Sequence, residues 1–336
     1  MERKPLWELL DGGVLLTSRA FDAGRPRRSL ARELQEQGWV RLYAGAWAEP
    51  GSTPELATRL RAVQLVRPRL AASHRSAAAL WRIETLGGGA GASLEFIDPG
   101  RALHGGERGV RVHRMPLEPA EVAEVRHGLR LTGVRRTLTD LLRAGPRDDT
   151  VVAVDSALGY RTVDSVRRPP LTDVAAIAAT LEAKARVRGA ARASTWLRLC
   201  DPRAGSPAET IARLRLHDAG LHPESQAELI TPAGRRVRLD FLFRAAGLAV
   251  EIEGYAYHGT RNSHRQDVAR YNQTLQCPEV RNLLRFTAED VFHRPACPRP
   301  ARACPAPPTH RSPPSRPGVQ ARRERVPQLR PCTQPT

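Results

Sequence analysis

Three carboxylates in the last third of this 336-residue chain, Asp240, Glu251 and Glu253, have the types and spacing to hold a divalent cation. Val237, Leu239, Phe241 and Phe243 recur at every second position, as do Leu248, Val250 and Ile252, and this apolar alternation predicts two strands. Arg244-Ala245-Ala246-Gly247 has the length and the glycine of a hairpin loop. If Phe243 pairs with Leu248, counting back sets Asp240 opposite Glu251. The three acids then share the face opposite the apolar side chains. Directly opposed residues hold their Cβ atoms about 4.5–5.5 Å apart, and like charges there are destabilising. A metal cation is the simplest way to make the arrangement favourable. A solvated hairpin face carrying acids accounts for the same residues without chemistry. Arg235, Arg236, Arg238 and Arg244 surround the site, yet the acids stand at the aligned positions.

The neighbouring motifs extend the pattern. Ser206-Pro-Ala-Glu209 precedes it, and Gly254, His258, Asp267 and Leu284-Arg285-Phe286-Thr287 follow. In this order they resemble the Vsr-like branch of the PD-(D/E)xK nucleases, over roughly residues 204–294. The resemblance implies a restriction-endonuclease-like αβ sandwich that binds Mg²⁺ and cuts phosphodiester bonds. By the same match Asp240 and Glu251 are metal ligands, and Glu209 can reach the metal too. Glu253 stands where that family carries a lysine. Lys4 and Lys184 are the only lysines in the chain, so no lysine serves locally. Glu253 is then a third ligand or orients the water, and His258 can take over proton transfer.

Several elements must position these groups. Ser206 to Glu209 reads as a capping box with Pro207 at the first helical position, which explains Glu209 without a metal. Arg261, Arg265 and Arg270 recur at helical spacing, as a phosphate-tracking face or a solvated one.

Upstream, residues 1–50 read as a small helical unit with a wing. A short helix over Pro5–Leu10 stops at Gly12-Gly13, and Thr17 can cap a helix through Ala23. Pro26 then opens a second helix through about Gln37, with Leu30 and Leu34 on its apolar face. Residues 39–43 and 46–48 read as strands. Arg25, Arg27, Arg28 and Arg32 cluster at the start of the second helix, where recognition helices meet DNA; a plain helical hairpin with a basic solvated face is the alternative. The run Gly-Gly-Val, Thr, Gly-x-x-Arg-Arg-x-Leu, Gly-Trp-Val, Gly-x-Trp resembles the N-terminal winged-helix domain of AbiEi-type antitoxins, which implies transcriptional repression. Arg136-Thr137-Leu138 and Asp140 resemble the same proteins.

Residues 55–160 read as a mixed α/β middle domain and 161–203 as a helical linker, broken at Arg167-Arg168-Pro169-Pro170 and at 201–205. Ser73 before an apolar run suggests a capped helix start around His74. His104 and His113 have no partners at metal spacing. From residue 295 to 336 Pro and Arg dominate with no apolar period, so this tail is expected to be disordered or the product of a shifted reading frame.

A formal charge of +18 favours nucleic acid as partner. An arginine-rich coding bias produces the same balance. Five cysteines without a CxxC pair argue against zinc or a disulfide framework and for a reducing cytoplasm. No signal peptide or membrane span is legible. The expected fold is therefore α/β and multidomain: winged helix, mixed middle domain, nuclease-like sandwich and disordered tail. The expected function is Mg²⁺-dependent DNA cleavage by a protein with its own DNA-binding module. A non-catalytic regulator on a retired nuclease scaffold is the runner-up, and an RNA-processing enzyme the third possibility.

Overall fold

The computed structural model describes residues 4–87, 92–100, 107–125, 128–253 and 261–293; for Val125 and residues 261–267 it describes the backbone alone. His104, His258 and the Pro/Arg-rich tail lie outside the described residues.

The chain is mixed α/β, and its elements follow the apolar periodicity. A 3₁₀ turn over Leu6–Leu9 leads to β1 (Leu15–Leu16), α1 (Thr17–Asp22), α2 (Leu30–Glu36), β2 (Val40–Tyr43) and β3 (Ala46–Ala48). The three strands form one antiparallel sheet in the order β1-β3-β2. Leu30 and Leu34, one helical turn apart, are buried with Leu15, Ala20, Trp39 and Trp47. Gly24 and Gly38 take φ of +84° and +78°, the left-handed conformation that lets the chain leave each helix. Two expectations change here. Thr17 is the first residue of α1 rather than its cap, and its hydroxyl donates to the Gly45 carbonyl. Helix α2 opens at Leu30, not Pro26, because Arg25 N–H folds back onto the Ala20 carbonyl and residues 26–29 turn before the helix begins.

Next come α3 (Leu56–Val66), β4 (Ala71–Ala72), α4 (His74–Leu80), β5 (Leu94–Asp98), β6 (Val110–Arg114), β7 (Val122–Val125), β8 (Leu129–Thr132), α5 (Val134–Ala144) and α6 (Arg147–Leu158). A five-stranded mixed sheet of order β6-β5-β4-β8-β7 buries Leu94, Phe96, Leu129 and Leu131. Ser73 stands at the N-cap of α4, but its hydroxyl meets His74 Nδ1 at 3.0 Å instead of capping the backbone. His113 is not isolated: its ring stacks on His74 at 3.7 Å and its Nε2 lies 3.3 Å from Glu95. Burial pushes His74 down to about 3, so it is neutral.

The stretch read as a helical linker holds a hairpin besides its two helices. It contains β9 (Arg161–Val163) paired with β10 (Val166–Arg168), then α7 (Val174–Ala183) and α8 (Ala190–Leu197). The buried Arg168 guanidinium donates to the carbonyls of Ser156 and Arg82 and ties this hairpin down.

The last part runs α9 (Pro207–Asp218), β11 (Glu224–Ile230), β12 (Arg236–Phe243), β13 (Leu248–Glu253), α10 (Arg261–Leu275), β14 (Asn282–Thr287) and α11 (Ala288–His293). Its sheet has the order β11-β12-β13-β14, antiparallel except for the β13–β14 pair, which α10 connects as a parallel crossover. Helix α9 is anchored to α6 by the buried Asp155. That carboxylate accepts from Thr210 Oγ1 at 2.8 Å, Arg213 Nη2 at 2.6 Å and the Asp201 N–H at 2.8 Å. No helix among the described residues is long and apolar enough to cross a membrane.

Candidate functional site

The hairpin register is the one read from the apolar pattern. Phe243 pairs with Leu248 and Phe241 with Val250, so Asp240 and Glu251 are next in count. There the ladder opens. The Asp240 carboxylate enters it, and Oδ2 accepts the Ile252 N–H at 2.8 Å. The single apolar face expected for the hairpin does not exist. Val237 and Leu239 pack with Ala227, Leu229, Cys277 and Val280, whereas Phe241, Val250 and Ile252 pack with Ala208, Ile211 and Ala212 of α9. The change of side coincides with Gln226, which stands opposite Asp240 between the Ser225–Phe241 and Ala227–Leu239 pairs, at φ +52°. The face that carries the acids is itself covered, since Leu242 and Ala249 on it are buried. The acids therefore line a half-open hollow, with Glu251 buried and Asp240 and Glu253 partly buried.

That hollow has a volume of about 200 Å³ and is lined by Asp240, Glu251, Glu253, Arg270, Tyr271 and Arg285. Strands β12 and β13 supply the acids, α10 supplies Arg270 and Tyr271, and β14 supplies Arg285. Arg270 Nη2 donates to Glu251 Oε1 and to the Arg238 carbonyl, both at 2.9 Å. Arg285 Nε lies 2.6 Å from Glu253 Oε1.

Glu209 joins the group from α9. Pro207 opens the helix and Ser206 Oγ accepts the Glu209 N–H at 3.2 Å, one half of a capping box. The reciprocal half is not made. Glu209 Oε2 instead accepts from the Gly205 N–H and from Gln226 Nε2, each at 2.7 Å. A Cβ at Gly205 would come within 2.8 Å of Glu209 Oε1, so glycine gives the carboxyl its room. Gln226 Nε2 also donates to Asp240 Oδ1 at 3.1 Å.

Electrostatics follow from this packing. Burial, reinforced by the Asp240 charge, pushes Glu209 up to about 7. Burial also raises Asp240, and the Glu251 charge adds to it, while the Ile252 N–H works against the rise. Among the described residues no group of three His, Cys, Asp or Glu side chains stands close enough to hold a metal ion. Magnesium does not require one: it is commonly held by one or two carboxylates together with waters and substrate phosphates. Two hard, mutually repelling carboxylates on one polar hollow fit that donor chemistry.

Of the remaining candidates, His258 lies outside the described residues, and Arg261 and Arg265 are placed on α10 by their backbone only. Arg270 does not lie on a free phosphate-tracking face; it is committed to Glu251. In the N-terminal unit the late start of α2 leaves Arg25, Arg27 and Arg28 ahead of the helix and only Arg32 on it. Arg25 is paired with Glu33 at 2.9 Å, Arg32 with Glu36 at 2.7 Å, and Arg27 lies over the Phe21 ring. Arg28 is exposed. Sequence reasoning assigned no role to Gln226, Tyr271 or Arg285. Gln226 was accessible in principle, from the register of β11 against β12.

No family model matches this chain. No curated protein matches it either. Among solved structures, the chain is similar to the crystal structure of RV2827C protein from Mycobacterium tuberculosis, at 21% identity and a TM-score of 0.37, over 65% of this chain and 84% of that one.

Proposed function

We propose that the protein is a metal-dependent DNA endonuclease with an attached DNA-binding unit. The observation that carries this reading is the convergence of Asp240 and Glu251 on one polar hollow, with Glu209 tethered to Asp240 by Gln226. In this reading residues 204–294 are a nuclease-like αβ sandwich and residues 1–50 a winged helix, acting in the cytoplasm. Asp240 and Glu251 would hold Mg²⁺, which, when bound, activates water and offsets charge developing on phosphorus. The chain's own groups do the rest. Glu209, poised near neutrality, can hold or release a proton beside Asp240. Arg270 and Arg285, at the rim of the hollow, are placed to receive phosphate oxygens once their carboxylate partners are otherwise neutralised. Glu253, paired with Arg285, orients that guanidinium.

One observation favours the second reading, a DNA-binding regulator of antitoxin type that uses the nuclease fold as a scaffold. The guanidiniums of Arg270 and Arg285 already neutralise Glu251 and Glu253. Incubation of the purified protein with plasmid and single-stranded DNA in Mg²⁺, Mn²⁺ or EDTA separates the two. Cleavage that needs metal and is lost in Glu251→Gln supports the enzyme. Wild type that cuts nothing with any metal, yet binds one duplex sequence, establishes the regulator.

A further inference from the structure

The ribbon formed by β11 and β12 has one buried side and one exposed side. Val237 and Leu239 of β12 face the core with Ala227 and Leu229 of β11. The residues that alternate with them are exposed: Arg236 and Arg238 on β12, Glu228 and Ile230 on β11. The register sets Arg236 opposite Ile230 and Arg238 opposite Glu228, so these four share one side. Arg235 is exposed at the turn. From Ala227 to Leu239 the ribbon carries three arginines against one acid, Glu228.

These arginines differ from their neighbours. Arg244, Arg270 and Arg285 are each held by a glutamate. Among the described residues, Arg235, Arg236 and Arg238 form no ion pair, and their guanidiniums make no hydrogen bond. Glu228 stands opposite Arg238 without pairing with it. The turn that presents them is nevertheless fixed. Gly234 takes φ +75°, the Thr231 N–H donates to the Arg235 carbonyl at 2.8 Å, and the hydroxyl of buried Thr231 accepts the Arg235 N–H at 3.1 Å. The cations are thus carried on an ordered backbone, which lowers the cost of ordering them on a ligand.

Their place along β12 points to the acid group. Asp240 is the next residue in the alternation after Arg236 and Arg238. A strand advances about 3.4 Å per residue, so Arg238 and Arg236 stand one and two steps of about 7 Å before Asp240. That step is close to the separation of successive phosphates on one DNA strand. Arg270 Nη2, which bonds both the Arg238 carbonyl and Glu251, ties the ribbon to the wall of the hollow.

We infer that the exposed side of the β11–β12 ribbon is a docking surface for the backbone of duplex DNA, with Arg235, Arg236 and Arg238 on its phosphates. Its role in leading that strand to the hollow rests on the endonuclease reading; the duplex contact does not. Guanidiniums without carboxylate partners are free to meet phosphate oxygens, and each contact releases counterions. Phosphate contacts position a duplex and carry no sequence preference.

The experiment is a fluorescence anisotropy titration of a labelled duplex with the full chain, in EDTA so that nothing is cut, over a range of salt. Replacing Arg235, Arg236 and Arg238 together by alanine should flatten the salt dependence by about 3 in log K per log salt. The loss should be equal on unrelated duplex sequences. Replacing the same three by lysine keeps the charge and should keep the slope. Glu228→Gln removes the acid from that side and should tighten binding; equal or weaker binding would place no phosphate there. All four positions are exposed, so melting temperatures should agree with the wild type. An unchanged slope in the folded alanine variant overturns the docking surface, and so does a lysine variant as flat as the alanine one. Metal-dependent cleavage that persists beside that unchanged slope would keep the enzyme and end the ribbon's role. A flattened slope in a chain that cuts nothing with any metal would end the enzyme and keep the ribbon. A wild type that binds no duplex at low salt ends both.

Discussion

Replacing Glu209 by glutamine keeps the shape of the side chain and deletes its charge, which makes it the sharpest probe of the acid group. Glu209 is pushed up to about 7 from an ordinary 4.5, by burial first and the Asp240 charge second. Between those two values the folded protein keeps a proton that the unfolded chain has released. Stability therefore falls as pH rises through that window and stays low above it. The full gap corresponds to about 3 kcal/mol. Because Glu209 and Asp240 repel one another and titrate together, we expect about 2–3 kcal/mol to be lost between about pH 5 and pH 8. Glu209→Gln should lose that much less, since its amide oxygen can still accept from the Gly205 N–H and no charge is generated. Asp155, pushed up to about 6 by burial, adds a fall of the same sign, but it is common to both proteins and cancels. Urea unfolding of both at the two pH values gives the difference of differences. An equal pH dependence in wild type and variant would show that Glu209 titrates as an ordinary carboxylate, and the argument from buried, repelling acids would fail.

Glu251→Gln should leave thermal stability equal or higher: its pair with the half-exposed Arg270 contributes about 1 kcal/mol at most, and Asp240 loses a repelling neighbour. A marked fall in melting temperature would make Glu251 a structural acceptor instead. Asp155→Ala should cost about 3–5 kcal/mol in urea unfolding, because Arg213 is left charged without its partner and two further donors lose their acceptor; a loss below about 1 kcal/mol would show that this carboxylate does not anchor α9. If the N-terminal unit binds duplex DNA, Arg27→Ala with Arg28→Ala should flatten the salt dependence by about 2 in log K per log salt. Adding Arg25→Ala and Arg32→Ala should flatten it little more, as both are already paired with glutamates; a further flattening of about 2 would contradict that.

What was legible in the sequence was whatever local periodicity controls. The hairpin register around Phe243 and Leu248 followed from alternation and loop length, and α9 followed from Ser206 and Pro207. The unread parts depend on contacts distant in sequence. Alternation over residues 237–243 suggested one apolar face, but a residue on the neighbouring strand, Gln226, marks where packing changes side. Arg168 looked like punctuation in a linker until its guanidinium found the carbonyls of Ser156 and Arg82. Arg25 and Arg32 looked like phosphate ligands because their partners, Glu33 and Glu36, are also helix-face residues and carry no separate signal.

The place of β13 within its sheet has a consequence for the order in which the molecule matures. The strand that bears Glu251 and Glu253 has β12 on one side and β14 on the other. Its hairpin partner is synthesised immediately before it, but its parallel partner, Asn282–Thr287, arrives only after the whole of α10. Arg270 and Arg285, which neutralise the two acids, arrive with that late segment. Parallel pairing closes a long loop and is slow. During translation the acids therefore stand on an open edge strand without their counter-charges, and the hollow takes shape only after α10 and β14 have been made.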